Sequence, residues 1–437
     1  MAQEKIPMQV SVESLSGLQR RMTVQVPSER IESEVEQRLR KVGKTAKLKG
    51  FRPGKVPFKV VQQRYGGEVR REVLNDLMQS SYAQAVAQEK LQPAGGPNIK
   101  ASSATQGADF EYVATFEVYP EVELKKVDGF KIERKIASIG ESDIDRVLGN
   151  LREQRVHWHV VDRPSKVGDK VTIDYRATID GEGFEGNEAT DVEAVPGSGQ
   201  MPADLENCLV GVTAEQQIEQ SVSFPADHPV DRLAGRQADF VITAKQVAEK
   251  HLPEIDDEFC KSFGVDGGVA ELRDGIRENM SKELDDAIRS GMREQILNAL
   301  IEKNPVELPL TLVDQEVDYL RGDAARRMGI SDPEKMPAAE QFLEPARRRV
   351  ALGLLVAKLV ETADLQADQN STDARLQAMA SQYGEPEQIM QVYRKDPRLM
   401  SQIEMAVVEE KAVDWLIDKA KIKEIKTTFK EVMNLGA

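Results

Sequence analysis

The chain has 437 residues, 40% hydrophobic, 5% aromatic and 30% charged, with a formal net charge of −15. It is long enough for roughly two to four domains, and its few aromatics and many charges favour long solvated helices over dense sheet cores. Cys208 and Cys260 are the only cysteines, which excludes a disulfide framework and points to a reducing cytoplasm. The start, Met-Ala-Gln-Glu-Lys-Ile-Pro, has no apolar core of a secretory signal, and the longest apolar run, 350–360, is broken by Lys358, so neither a signal peptide nor a membrane span is expected.

Residues 1–118 read as an α+β domain. Met8–Val12 and Met22–Val26 alternate as strands with one buried face. Pro27-Ser28-Glu29 opens a helix with Ser28 as its N-cap, which should run to Gly50. A second helix starts at Pro57 and runs through Arg64, Tyr65-Gly66-Gly67 breaks it, and a third covers Glu68 to Lys90. Strands follow, the last at Asp109–Tyr119. Between Arg38 and Arg71 twelve Lys or Arg face one acid, Glu68, in an otherwise acidic protein. At the centre lies Gly50-Phe51-Arg52-Pro53-Gly54-Lys55-Val56-Pro57, a glycine-hinged, proline-stiffened loop. A solvated helix face is the plain reading of the charge. The near absence of compensating acids favours docking on a polyanion. No recognition helix or aromatic stacking platform speaks for DNA, so a structured RNA surface beside protein fits better.

Residues 119–161 read as a linker without a clear core of its own. Residues 162–248 change to strands: Val171, Ile173 and Tyr175 alternate with polar residues, Asp180-Gly181 marks a hairpin, and Asp239–Ala244 closes the sheet. Residues 249–437 are helical. Leu272, Ile276, Met280, Leu284, Ile288, Met292, Ile296 and Leu300 recur every four residues, and each step drifts about 40° around a helix of 3.6 residues per turn. Such a stripe serves different neighbours along its length, as in an extended arm.

Several letter matches carry no chemistry. Gly181-Glu-Gly183-Phe-Glu-Gly186 imitates a dinucleotide fingerprint but follows a hairpin signal and opens no helix, so a glycine-rich β-turn is the better reading. Gly50 to Lys55 falls one residue short of a P-loop. His157-Trp158-His159 could present two imidazoles to a metal but lacks an obvious third ligand, and His228 and His251 read as isolated. No cofactor or metal is expected.

Gly50–Pro57, with Gln63-Arg64-Tyr65-Gly66, resembles the ribosome-docking signature of the bacterial trigger factor family. Leu74-Asn75-Asp76-Leu77-Met78, Phe116–Leu124 and Leu252–Phe259 extend the resemblance over nearly the whole chain. It implies a multidomain α+β protein: a ribosome-docking domain, an FKBP-like β-rich domain, and an extended all-α C-terminal domain with arms. It further implies an ATP-independent cytoplasmic chaperone that holds nascent chains at the exit tunnel and carries a prolyl cis-trans isomerase. The implied partners are the large ribosomal subunit, through Gly50, Phe51, Arg52, Pro53, Gly54 and Lys55, and unfolded polypeptides. DNA and membrane are not implied, and room is left for a homodimer when free. Pro53 stands where the family often has Lys.

For the isomerase pocket the resemblance implies Tyr175, Phe184, Leu205, His228 and Phe240. Leu205 stands where the family shows Phe, Pro202 where it shows Ile, Asp204 where it shows Gly, and His228 where it commonly shows Tyr. These departures lead to an expectation of weak or residual isomerase activity. The alternative is a protein that is primarily a prolyl isomerase.

Overall fold

The computed structural model describes residues 8–435 except 47, 49, 50, 52–55, 102–106, 185, 226–232, 331, 333 and 334. The chain forms two compact units, Met1–Arg134 with Ser290–Glu424, and Lys135–Arg289 with Ile425–Ala437.

The first unit begins with an antiparallel sheet of order β1 (Gln9–Ser14), β2 (Gln19–Val26), β4 (Phe110–Glu117), β3 (Asn98–Ala101). Its register sets Met22 opposite Ala114, Val24 opposite Tyr112 and Val26 opposite Phe110. Alternation therefore buries one face of both strands together. Helix α1 (Ser28–Thr45) adds Ile31, Val35 and Leu39 to this core, one apolar residue per turn.

Two expectations are corrected in this region. Ser28 is not the N-cap: Pro27 holds that position, and the Ser28 N–H donates to Asp109 Oδ1 at 2.8 Å. The capping carboxylate comes from beside the neighbouring strand, where pairing of Val26 with Phe110 places it. Nor does Tyr65-Gly66-Gly67 break the chain. Helix α2 runs unbroken from Phe58 to Gln88, and α1 ends at Thr45, before Gly50. Val61, Val69, Val73, Leu77 and Ala85 continue one buried stripe across both glycines. That burial outweighs a helix-propensity cost of about 1 kcal/mol per glycine.

Further along, the Glu117 side chain, nearly buried, accepts from Thr311 N (2.7 Å) and Thr311 Oγ1 (2.8 Å) at the start of α7 (Leu310–Arg327). Gly95 permits this approach: its φ is +107°, and a Cβ there would lie 2.4 Å from Thr311 Cγ2. Helices α8 (Leu343–Thr362), α9 (Gln369–Ala380), α10 (Pro386–Lys395) and α11 (Pro397–Asp418) follow. Near the C-terminus, β11 (Lys421–Lys426) pairs with β5 (Lys131–Ile136), a strand that the helical reading did not foresee.

In the second unit α3 (Glu141–Gln154) lies inside the segment read as a linker, and it is not without a core. Ile144 and Leu148 are buried with Phe259, Cys260, Phe429 and the first half of α6 (Gly268–Lys303). Of the four-residue apolar row, Leu272, Ile276, Met280 and Leu284 are buried in this cluster, while Met292, Ile296 and Leu300 are buried in the first unit. The row serves successive neighbours, as its drift predicts.

The β-rich body of this unit is a sheet of order β6 (His157–Val160), β10 (Gln237–His251), β7 (Lys170–Thr178), β8 (Glu188–Ala194), with β9 (Gln217–Ser223) also on β10. Helix α4 (Ala203–Cys208) covers one face, and Val171, Ile173, Leu205, Leu209, Phe240 and Ile242 fill the space between. Mixed helix and strand with a long helical C-terminal region is the fold class expected.

Candidate functional site

Alternation along β7 and β10 turns Ile173, Tyr175, Phe240 and Ile242 to the same side of the sheet, under α4. They line a cavity of about 320 Å³, with Phe184, Met201, Pro202, Leu205, Phe224 and Leu233 contributing the rest of the apolar wall. The Tyr175 and Phe240 rings stand 5.7 Å apart at 52°, a tilted pair of the kind aromatic quadrupoles favour. Phe184 is delivered by the turn after β7. Ile179 and Glu182 exchange backbone hydrogen bonds (3.0 and 2.9 Å), with Asp180 at φ 55° and Gly181 at φ 82°. This is a two-residue hairpin turn of the Asp-Gly kind and no nucleotide loop.

Four of the five expected pocket residues, Tyr175, Phe184, Leu205 and Phe240, therefore meet on one cavity, and His228 lies outside the described residues. Pro202 is exposed yet lines the mouth, whereas Asp204 is exposed and is not among the lining residues. The acid expected beside the pocket does not enter its wall. Sequence reasoning missed Ile173, Ile242, Met201, Phe224 and Leu233. The two isoleucines were visible as the inward set of their strands.

Burial pushes the Cys208 thiol up, and its Sγ donates to Leu205 O at 3.2 Å, so it packs rather than reacts. Glu206, buried although acidic, accepts from Met201 N at 3.1 Å, Gly197 N at 2.9 Å and Ser198 Oγ at 3.2 Å. The Met201 N–H foremost, with those of Gly199 and Gly197, holds its carboxyl below the usual range against burial. Among the cavity's described lining residues there is no nucleophile or acid–base pair. An apolar wall of this kind can act by desolvation: an amide moved into it from water loses stabilisation of its planar, polar form, and rotation through the less polar twisted form becomes easier.

The basic stretch occupies α1 and α2, which pack against each other. Acids just outside the stretch pair with three of its cations. Arg38 pairs with Glu72 and Asp76, both at 2.7 Å, Arg40 with Glu36 at 2.5 Å and Arg70 with Glu32 at 2.6 Å. Lys41, Lys44, Lys59, Arg64 and Arg71 make no ion pair among the described residues. The uncompensated cations thus include those nearest the 50–57 loop on both helices. Phe51 is 40% exposed and Phe58 39%, with the Arg40 guanidinium 5.8 Å from the Phe58 ring centre. Gly50, Arg52, Pro53, Gly54 and Lys55 lie outside the described residues.

His251 is not isolated. It stands opposite His157 across β6–β10, and its ring centre is 5.3 Å from that of His159. Among the described residues no three His, Cys, Asp or Glu side chains are gathered to hold a metal. No described helix is long and apolar enough to cross a membrane.

Three family models match successive parts of the chain. Residues 8–151 match the family model of bacterial trigger factor protein, 161–248 that of FKBP-type peptidyl-prolyl cis-trans isomerase, and 268–418 that of the trigger factor C-terminus. The trigger factor of Alkalilimnicola ehrlichii is 43% identical over 431 residues, 98% of this chain and 96% of that protein. That of Pseudoalteromonas atlantica is 40% identical over 437 residues, 98% and 100%, and that of Pseudomonas syringae 42% over 428, 98% of each. A solved trigger factor chaperone structure aligns with 94% of this chain and 99% of its own, at 17% identity and a TM-score of 0.49. An apolar pocket in an FKBP-type domain that lies, in sequence, between the two trigger factor regions defines a chaperone that carries an isomerase fold. The chain belongs to the trigger factor family.

Proposed function

We propose that this chaperone works without ATP, docks on the large ribosomal subunit through the 50–55 loop, and holds nascent chains open as they leave the exit tunnel. The observation that carries the docking is the distribution of charge. Arg38, Arg40 and Arg70 are matched by local carboxylates, whereas Lys41, Lys44, Lys59, Arg64 and Arg71 make no ion pair among the described residues, and these include the helix cations nearest the loop. An acidic protein with a locally uncompensated basic stretch is oriented by a polyanion such as ribosomal RNA and repelled elsewhere. Exposed Phe51 adds an apolar contact for a neighbouring ribosomal protein. Holding clients suits the helical half, where Met328, Met405, Tyr383 and Val392 are exposed; a flexible methionine re-packs against varied apolar segments. Pelleting with purified large subunits tests the docking: association that falls steeply with salt is expected, and absent or salt-independent association overturns it.

The prolyl pocket is proposed to bind its substrate and turn it over slowly. The intact apolar cavity supports binding. Leu205 offers less surface than an aromatic ring would at the same wall, and Pro202 brings no backbone N–H to the mouth. A proline-limited refolding assay tests this, and acceleration equal to that of a family member with the aromatic residue overturns it. The intact cavity is also what favours the alternative, a protein working mainly as an isomerase, which would show turnover far outweighing protection of an aggregating client.

A further inference from the structure

The turn between β8 and α4 carries Gln200, Met201 and Pro202 at the mouth of the cavity. It passes through two left-handed glycines, Gly197 at φ 88° and Gly199 at φ 72°. No strand pairs with residues 197–201. Its polar groups converge instead on one side chain. Gly197 N donates to Glu206 Oε2 at 2.9 Å, while Met201 N (3.1 Å) and Ser198 Oγ (3.2 Å) donate to Oε1. Glu206 is 7% exposed and neighbours Leu205 of the cavity wall.

We infer that Glu206 is the positioning residue of the prolyl pocket: its carboxylate ties the 197–201 turn down and so fixes Gln200, Met201 and Pro202 on the mouth. A buried carboxylate that receives several donors from one turn removes that turn's freedom to reorient. The donors it collects are also withdrawn from the substrate. The Met201 N–H is committed to Glu206, the Gln200 N–H points to Ser198 Oγ at 3.4 Å, and Pro202 has none. The mouth formed by residues 200–202 thus offers a peptide the side chains of Gln200, Met201 and Pro202 and no uncommitted backbone donor. This inference rests on the pocket's acting on prolyl bonds.

The test uses the full chain and the near-isosteric Glu206→Gln, with Glu206→Ala beside it. Gln keeps one acceptor oxygen and sets an NH₂ against the remaining donors. Amide exchange at Gly197 and Met201 should quicken by at least about tenfold in both variants, while exchange in the β7 and β10 amides stays slow. For a prolyl tetrapeptide with apolar flanks KM should rise by about tenfold and kcat by less than about threefold in either direction, the pattern of a lost binding geometry. An unchanged KM in a folded Glu206→Gln protein overturns the inference, as does unfolding of the whole β-rich body by that change, which makes the role purely structural. A wild-type chain that turns over no prolyl peptide defeats the isomerase reading instead. Exchange at the two rim amides then decides the role of Glu206 alone: unaltered rates overturn the tie and quickened rates uphold it.

Discussion

Leu205→Phe puts an aromatic ring into the wall of the prolyl pocket and should raise its activity. Leu205 is 5% exposed and lines the cavity with Tyr175, Phe184 and Phe240. The cavity it borders, about 320 Å³, is the space available to a larger side chain. The change adds the equivalent of about one buried methylene, ~0.8 kcal/mol, against a bound proline. Ring contact contributes about 0.5–1 kcal/mol more. A total near 1.4 kcal/mol corresponds to about tenfold in kcat/KM if the twisted amide receives it. Overpacking would oppose this by about 1–3 kcal/mol only where no space exists, so the volume of the cavity decides the sign. The assay is isomerisation of a prolyl tetrapeptide, with thermal unfolding as the check on fold. A folded Leu205→Phe protein with unchanged kcat/KM would refute the account of slow turnover.

Four further outcomes follow from the geometry. Lys44→Gln should lower the slope of log affinity for ribosomes against log salt by roughly one phosphate contact, ~0.7–0.9. Arg38→Gln, whose guanidinium is already matched by Glu72 and Asp76, should leave the slope unchanged and cost about 0.2–1 kcal/mol per exposed pair in unfolding experiments. Glu117→Ala, which removes the acceptor at the start of α7, should destabilise by about 0.5–2 kcal/mol in denaturant titration; no change would mean that the cap is redundant. The hydrogen bond from Lys411, with those from Ser371, holds the Asp368 carboxyl well below the usual carboxylate range. A carboxyl depressed in the folded state contributes stability above its unfolded value and loses it as pH falls through the folded one. Lys411→Met should therefore flatten the acid side of the stability profile of α9 and α11, and an unaltered profile would contradict the assignment.

The sequence was legible where one period governed many residues. Strands β2 and β4 announce their buried face by strict alternation, and the four-residue row of α6 foretold a change of neighbours along its length. Legibility failed where tertiary packing overrode a local signal. Gly66-Gly67 reads as a break, yet Val61 and Val69 on either side are both held in the same core and carry the helix through. Helix α3 hides in a charged segment because only Ile144 and Leu148 of its face are fully buried, and their partners Phe259 and Phe429 lie far away in sequence. At the pocket, Tyr175, Phe184, Leu205 and Phe240 followed from resemblance, whereas Met201, Phe224 and Leu233 come from turns and loops with no periodicity to betray them. The tie through Glu206 had no sequence signal at all, since it depends on a turn closing back onto its own helix. The partial cancellation of the basic stretch was hidden for the same reason: Arg38 finds Glu72 and Asp76 across a helix pair, 34 and 38 residues away.

The central claim is that residues 50–55, at the centre of the basic stretch, dock this chaperone on the ribosome. Co-sedimentation of the full chain with large ribosomal subunits at fixed salt, with Phe51→Ala and Arg52→Ala each compared with the wild type, tests it most directly. The account predicts that each folded variant pellets far less than the wild type. Unchanged association in both would contradict it.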